Sequence, residues 1–381
     1  MNFRETSRMT AAAWIGSALV ALMANAVPLN AQQNTNYKSS PHIITFDAPG
    51  SSTANGGTQA FANNDWGEVV GFYTDKYVVP YAFLRTPQGE FISFQAPGAG
   101  TGHGLDQGTL AYSINDAGAI AGQFQDSSYL FHGFVRTPGG EFTTFEAPGA
   151  GTGANQGTQA LDINLEGATA GIYIDSSNVY HGFVQSQWGQ ITSFDPEGSI
   201  LTFVCEETCL NPEGVVTGFY LDGSLIFHGF LREPNGEITT LDAPGAGTGS
   251  YQGTIAGSIN PEGTITGYLQ DSSGVFHGFV RSPQGDFTTF DAPGAGTGAG
   301  QGTAAYSINF FGTSAGAFLD SNGAMHGFSL CPDGKFITFN APGAGIGAGQ
   351  GTRPSTNNLK GAVTGWYVDA SNGNHGFVWT P

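Results

Sequence analysis

Residues 115–134 read N-D-A-G-A-I-A-G-Q-F-Q-D-S-S-Y-L-F-H-G-F. Within them lies the frame Asn-x2-Gly-x3-Gly-x3-Asp-x5-His-Gly-Phe, and the chain carries seven copies of it. The asparagines are Asn64, Asn115, Asn164, Asn211, Asn260, Asn309 and Asn358, spaced 47 to 51 residues apart. Eleven residues after each stands Asp75, Asp126, Asp175, Asp222, Asp271, Asp320 or Asp369. Six further on stands His132, His181, His228, His277, His326 or His375, with Tyr81 in the first copy. No gap is needed inside the frame. A period of this length marks a propeller or solenoid array in which each repeat is one supersecondary unit.

Working outward, a second segment recurs seven times in a shifted phase. It begins as I-I-T-F-D-A-P at residues 43–49 and returns as F-I-S-F-Q-A-P at 91–97 and F-T-T-F-E-A-P at 142–148. The chain starts with this segment and ends after His375-Gly-Phe-Val-Trp-Thr-Pro381 without it. Each unit reads as four short strands, a to d, because Thr, Val, Ile, Phe and Tyr runs are bounded by turn residues. In the second unit these are expected near Thr109–Asn115, Ala119–Gln125, Phe131–Thr137 and Glu141–Glu146. Asn-x-x-Gly between a and b suits a type I turn, with Pro212 and Pro261 at its second position.

The expected fold is therefore all-β, a seven-bladed β-propeller of four-stranded blades spanning 43–381. The N-terminal strand would complete the last blade and close the ring, which removes an open edge. A β-solenoid is the alternative, but it gives no reason for the phase shift.

At His-Gly-Phe, at Tyr81-Ala82-Phe83 and at Ile114-Asn115, Gly118, Ile120 and Gly122, the chain resembles the exported bacterial HAF repeat proteins. Six of seven copies have Gly where the family motif has Ala. The resemblance implies an exported repeat protein with a propeller fold, and it carries no catalytic residues to this chain.

Residues 1–31 read as a secretory signal: Arg4 and Arg8 precede an apolar run from Ala11 to Val27. That run is short for a membrane span, so cleavage after Ala26 or Ala31 is expected, leaving no membrane anchor. Residues 32–42 read as a linker. Periplasmic or extracellular location follows. The whole chain has 11 basic and 30 acidic residues; removing Arg4, Glu5 and Arg8 leaves 9 against 29, a net charge of −20. Such a surface excludes nucleic acid as a partner.

The Asp–His pairs are the most chemically suggestive feature, since carboxylates and imidazoles bind metals. A residue type present in every unit is more simply part of the unit. Asp caps its own turn and His stands across the hairpin. Tyr81 in the first copy supports the structural role, so no cofactor is expected, with Ca²⁺ as the alternative.

The glycine-rich connections such as Gly149 to Gly153 lack the helix and Lys of a phosphate loop. Gly312-Thr-Ser-Ala-Gly316 matches a hydrolase pattern, but its siblings read G-A-I-A-G and G-T-I-T-G, which makes Ser314 an ordinary strand residue.

Cys205-Glu-Glu-Thr-Cys209 breaks the symmetry of the fourth unit. In an exported protein a small disulfide loop is expected, although four positions along a strand span about 13 Å and a local turn is needed. Cys331 reads as a small buried residue.

The function these features support is a non-catalytic binding or scaffold module, monomeric, taking a glycan or peptide ligand. The candidate ligand residues are Gln107, Gln156, Gln252, Gln301 and Gln350 of the recurring Q-G-T, with His103 and Asp106 in a lengthened connection. Two other classes stay open: a purely structural surface protein, and a polysaccharide-acting hydrolase or lyase. The enzyme would use asymmetric groups such as Asp195, Glu197, Glu206, Glu207 or Arg353.

Overall fold

The computed structural model describes residues 42–103, 107–204 and 208–381, without the side chain of Asn55. The signal segment, the linker through residue 41, Asp106, Cys205, Glu206 and Glu207 lie outside them. The described residues form 28 β-strands and no α-helix. In the second unit the strands are Thr109–Ile114, Ile120–Gln125, Phe131–Arg136 and Phe142–Phe145, each within a residue of the expected bounds. They pair a–b–c–d, antiparallel throughout.

The same order holds in the other units. In the seventh, Gly351–Asn357, Val363–Val368 and Asn374–Thr380 are completed by the first strand of the chain, His42–Phe46. Ile44 stands opposite Val378 and Phe46 opposite Gly376.

By hydrogen bonding the strands form three sheets of 16, 8 and 4, none closed on itself. Isolated parallel pairings such as Phe131 with Gly157 join strand c of one unit to strand a of the next. Between the third and fourth units no parallel pairing joins the described strands. There the P-G-A-G-T-G connection is missing from the sequence and strand a runs Ser199–Val204.

How strand c packs into the core is visible in the His-Gly-Phe motif. Phe83, Phe134, Phe183, Phe230, Phe279, Phe328 and Phe377 are all fully buried, one per unit. Burying one such ring contributes roughly 1.5–3 kcal/mol. The preceding glycine lies under the last aromatic of strand d: a Cβ on Gly182 would be 2.6 Å from the Phe194 ring, and one on Gly376 2.3 Å from that of Phe46. One apolar cluster draws Phe61, Tyr112, Leu161, Phe203, Ile255 and Trp366 from six different units.

The framing asparagines do more than shape turns. The Oδ1 of Asn115 accepts the N–H of Ala119 at 2.9 Å, while its Nδ2 donates to the carbonyl of Asn164, 2.8 Å away in the next unit. Equivalent bonds run from Asn64 to Asn115, Asn164 to Asn211, Asn260 to Asn309 and Asn309 to Asn358. The seventh unit returns to the first: Asn358 Nδ2 donates to the carbonyl of Asn64 at 3.0 Å. Asn63 N–H donates to Thr356 Oγ1 at 3.2 Å beside it. Each amide is buried and has both ends satisfied, as burial of a polar group requires.

At the irregular fourth unit a buried carboxylate from the third unit plays a related part. Asp162 accepts the Ser113 hydroxyl at 2.7 Å and the N–H groups of Cys209 and Leu210, each at 2.9 Å. Burial pushes its carboxyl above the usual range, against the opposing pull of these donors.

Candidate functional site

Each repeated histidine sits between two side chains. In the second unit Asp126 Oδ1 accepts the N–H groups of Ser128 and Leu130, which fixes the b–c turn. His132 Nε2 lies 3.5 Å from the other oxygen of Asp126, and Nδ1 lies 2.5 Å from Glu146 at the end of strand d. The corresponding Nδ1 partners are Asp195, Asp242, Asp291, Asn340 and Asp47, at 2.6 to 3.0 Å.

The Asp contacts to Nε2 are longer, 3.3 to 3.6 Å for Asp175, Asp222, Asp271, Asp320 and Asp369 against His181, His228, His277, His326 and His375. The shorter bond therefore goes to a residue 14 positions downstream, or for His375 to Asp47 beside the first strand, which the sequence frame does not mark.

That second partner leads further. Glu146 also accepts the Thr158 hydroxyl at 2.8 Å, and Thr158 Oγ1 accepts the N–H of Ala147 at 2.8 Å. Asp195 is held likewise by His181 at 2.6 Å and Thr202 at 2.5 Å. These chains tie strands c and d of one unit to strand a of the next.

The carboxyl of Asp222 is held below its usual range chiefly by the N–H of Ile226; slight burial opposes this, and Ser224 and His228 add to it. Asp369 behaves the same way through Gly373. In Asp126 burial is the largest single influence and raises the carboxyl, but Leu130, Ser128 and His132 together bring it below the usual range. Among the described residues no group of three or more His, Cys, Asp or Glu side chains is arranged to hold a metal ion.

The glutamines are also committed within the chain. Gln252 Oε1 accepts the N–H of Gly249 at 3.0 Å and its Nε2 donates to the carbonyl of Ser272 at 3.3 Å, stapling the d–a connection to the b–c turn. Gln301 and Gln350 do the same to Ser321 and Ala370, and Gln156 reaches Asn178. Gln107 donates to the carbonyl of Ser127 at 3.3 Å. These bonds show that the d–a connections and b–c turns share one face.

On that face the His103 ring stacks on Tyr77, with centroids 4.2 Å apart and planes within 5°. Tyr77 and Tyr251 are substantially exposed. Asp106 lies outside the described residues.

The remaining sequence candidates separate. Ser314 is fully buried in strand b, 3.3 Å from Thr266 Oγ1. Arg353 lies over the Trp366 ring at 4.7 Å, and Glu197 is exposed on a turn. Cys209 is buried; its pairing with Cys205 involves a residue outside those described.

The first unit departs from both side-chain patterns. Tyr81 replaces histidine, and Gly56 stands where five other units have the stapling glutamine, which the fourth unit also lacks. Gln95, in the strand d position, turns to the carbonyl of Pro80 at 2.8 Å and accepts the Thr109 hydroxyl at 2.6 Å. The signal for this departure was in the sequence as Tyr81; the missing glutamine was passed over.

No family model matches the chain, and the search of curated proteins found no match. Solved structures do resemble it. The BP39L lectin from Burkholderia pseudomallei aligns with a TM-score of 0.51 at 10% identity, covering 86% of this chain and 98% of that one. Puromycin hydrolase aligns at 0.51 and 14% identity over 85% of this chain, which spans only 52% of the hydrolase. A looser match, at TM-score 0.40 and 11% identity, is the fungal Aleuria aurantia lectin, a six-bladed β-propeller with a fucose recognition mode; it covers 78% of this chain and 94% of that one. At such identities the likeness is one of fold, and fold alone assigns no activity.

Proposed function

We propose that the seven four-stranded units are blades of one closed β-propeller, and that the exported chain works as a non-catalytic binding module for carbohydrate. The closure is supported by the pairing of His42–Phe46 with the last strand and by the Asn358 to Asn64 bond. Export is supported by the apolar N-terminal segment and by the resemblance to HAF-type proteins, and it implies a periplasmic or extracellular setting.

One observation carries the functional reading: the recurring Asp, His, Asn and Gln side chains have their hydrogen-bonding ends on the chain itself. They hold blades together, so a ligand must be met by what differs from blade to blade. On the face of the b–c turns the varying position is occupied by Val78, Tyr129, Asn178, Leu225 and Asn372, all at positive φ. Exposed Tyr77 and Tyr251 stand on the same face. Aromatic rings among acids, hydroxyls and amides suit a neutral, hydroxyl-rich ligand, whose C–H faces pack on rings while its hydroxyls bond to polar groups.

The test is an array of immobilised mono- to tetrasaccharides probed with the labelled mature chain, followed by product analysis of any glycan retained. Saturable retention without cleavage is expected. Release of shortened product would establish an enzyme instead, and retention of nothing would leave a structural surface protein.

A further inference from the structure

We propose that this propeller has one principal saccharide site, in a cavity of the first blade formed because that blade lacks both the histidine of the other six and the stapling glutamine of five of them. The cavity has a volume of about 620 Å³, and Asp47, Ser51, Tyr73, Asp75, Lys76 and Tyr81 contribute to its walls. It lies where the connection from the N-terminal strand meets the b–c turn of the first blade. That volume is within the usual range for small-molecule sites and accommodates about one or two sugar rings. The inference rests on the carbohydrate reading above and assigns it a place.

Three features give the cavity its chemistry. Tyr73 and Tyr81 lie parallel, centroids 5.5 Å apart and planes within 15°, across strands b and c. In five other blades an imidazole stacks on, or packs beside, the strand b residue and is then bonded by the strand d carboxylate or amide. Tyr81 instead presents a phenol with no such partner, because Gln95 is turned to Pro80. Burial, then the charge of Asp75, hold the Tyr81 hydroxyl above its usual range, so it stays a donor.

Second, Asp75 Oδ1 accepts the N–H groups of Tyr77 and Val79 at 2.8 and 3.0 Å. Asp75 also lines the cavity, close enough for its charge to act on the Tyr81 hydroxyl. A carboxylate oxygen beside a phenol offers an acceptor and a donor to adjacent sugar hydroxyls.

Third, Gly56 has no side chain to reach the b–c turn, and the connection carrying Ser51 and Ser52 is tied to the end of strand b, where Ser52 N–H donates to the Thr74 carbonyl at 2.8 Å. Ser51 Oγ already accepts the Thr58 hydroxyl at 3.0 Å and so is held in place. The two wall carboxylates disfavour an anionic ligand, and Asp47 is already engaged with His375 at 3.0 Å. A neutral saccharide fits what remains.

The experiment takes the best-retained saccharide from the array and titrates it, in free form, into the mature chain and two variants by calorimetry. Tyr81→His rebuilds the imidazole of the other six blades, and Asp75→Asn keeps the turn-forming oxygen while removing the charge. Each is expected to weaken binding by about tenfold or more, the size of one aromatic or charge-assisted contact. Unfolding midpoints close to that of the unmodified chain would show that both variants keep the fold. Unchanged affinity in both variants would overturn the first-blade site while leaving the carbohydrate reading intact. Failure of the unmodified chain to retain any saccharide would overturn both.

Discussion

Asn358→Ala is the sharpest perturbation of the bonds that join the last unit to the first. Asn358 is buried, donates to the carbonyl of Asn64 at 3.0 Å, and accepts the N–H groups of Ala362 and Lys360 at 3.0 and 3.1 Å. Alanine removes all three bonds and leaves the Asn64 carbonyl without that donor. At about 1 kcal/mol net for each bond, the expected loss is about 3 kcal/mol. For one cooperative unit of this size that corresponds to a fall of roughly 4 °C in the unfolding midpoint.

Asn358→Asp sharpens the test, because it keeps the acceptor but sets a carboxylate oxygen against the Asn64 carbonyl. A protonated carboxyl can still donate there, so this variant should be less impaired at pH 4 than at pH 7. Calorimetric unfolding of the three proteins at both pH values is the assay. A midpoint within about 1 °C of the unmodified protein for Asn358→Ala at pH 7 would refute the reasoning, since the seventh unit would then not depend on the first.

Other outcomes follow from the same geometry. Asp222 and Asp369 have lowered carboxyl pKa values, so their contribution is fully present above the unfolded value near 4 and is lost as pH falls through the folded one. Urea midpoints measured from about pH 5 down to 2 should therefore fall less steeply in Asp222→Asn, and an identical slope would count against the turn-capping role. Gly122→Ala would place a Cβ 2.1 Å from the carbonyl oxygen of Leu110 and 2.7 Å from the Phe134 ring. A loss of about 3 kcal/mol or more is expected in denaturant unfolding, because backbone stands in the way and cannot yield. Gln252→Ala removes two partly exposed bonds, so a loss of about 1–2 kcal/mol with unchanged saccharide retention is expected. Loss of retention in that variant would return the glutamines to the ligand site.

Much of the architecture was legible because the frame repeats without gaps. Positions fixed in every copy, such as the fully buried Phe of His-Gly-Phe, report the four-stranded unit, and the strand bounds expected for the second unit fall within a residue of those observed. Contacts between copies were not legible. Asn115 looks like a turn residue in its own unit, and only the packing of adjacent units brings its Nδ2 to Asn164, 49 positions on. The shorter bond of each histidine was hidden for a similar reason. Glu146 lies in the shifted segment outside the frame that carries His132, and the register of strands c and d decides that it faces the imidazole. The glutamines illustrate the opposite error. A recurring exposed-looking amide resembles a ligand ring until its two backbone partners are seen. What singles out the first unit, Tyr81 and Gly56, required comparing copies position by position for what is missing.

The proposed ring depends most directly on the pairing of the first strand with the last. Amide hydrogen exchange of the intact mature chain, read by mass spectrometry on peptides covering 42–46 and 374–380, measures it without any substitution. A paired first strand predicts that both peptides are protected to the degree of the interior strand Gly351–Asn357. Exchange of 42–46 at the rate of an unstructured chain would contradict it.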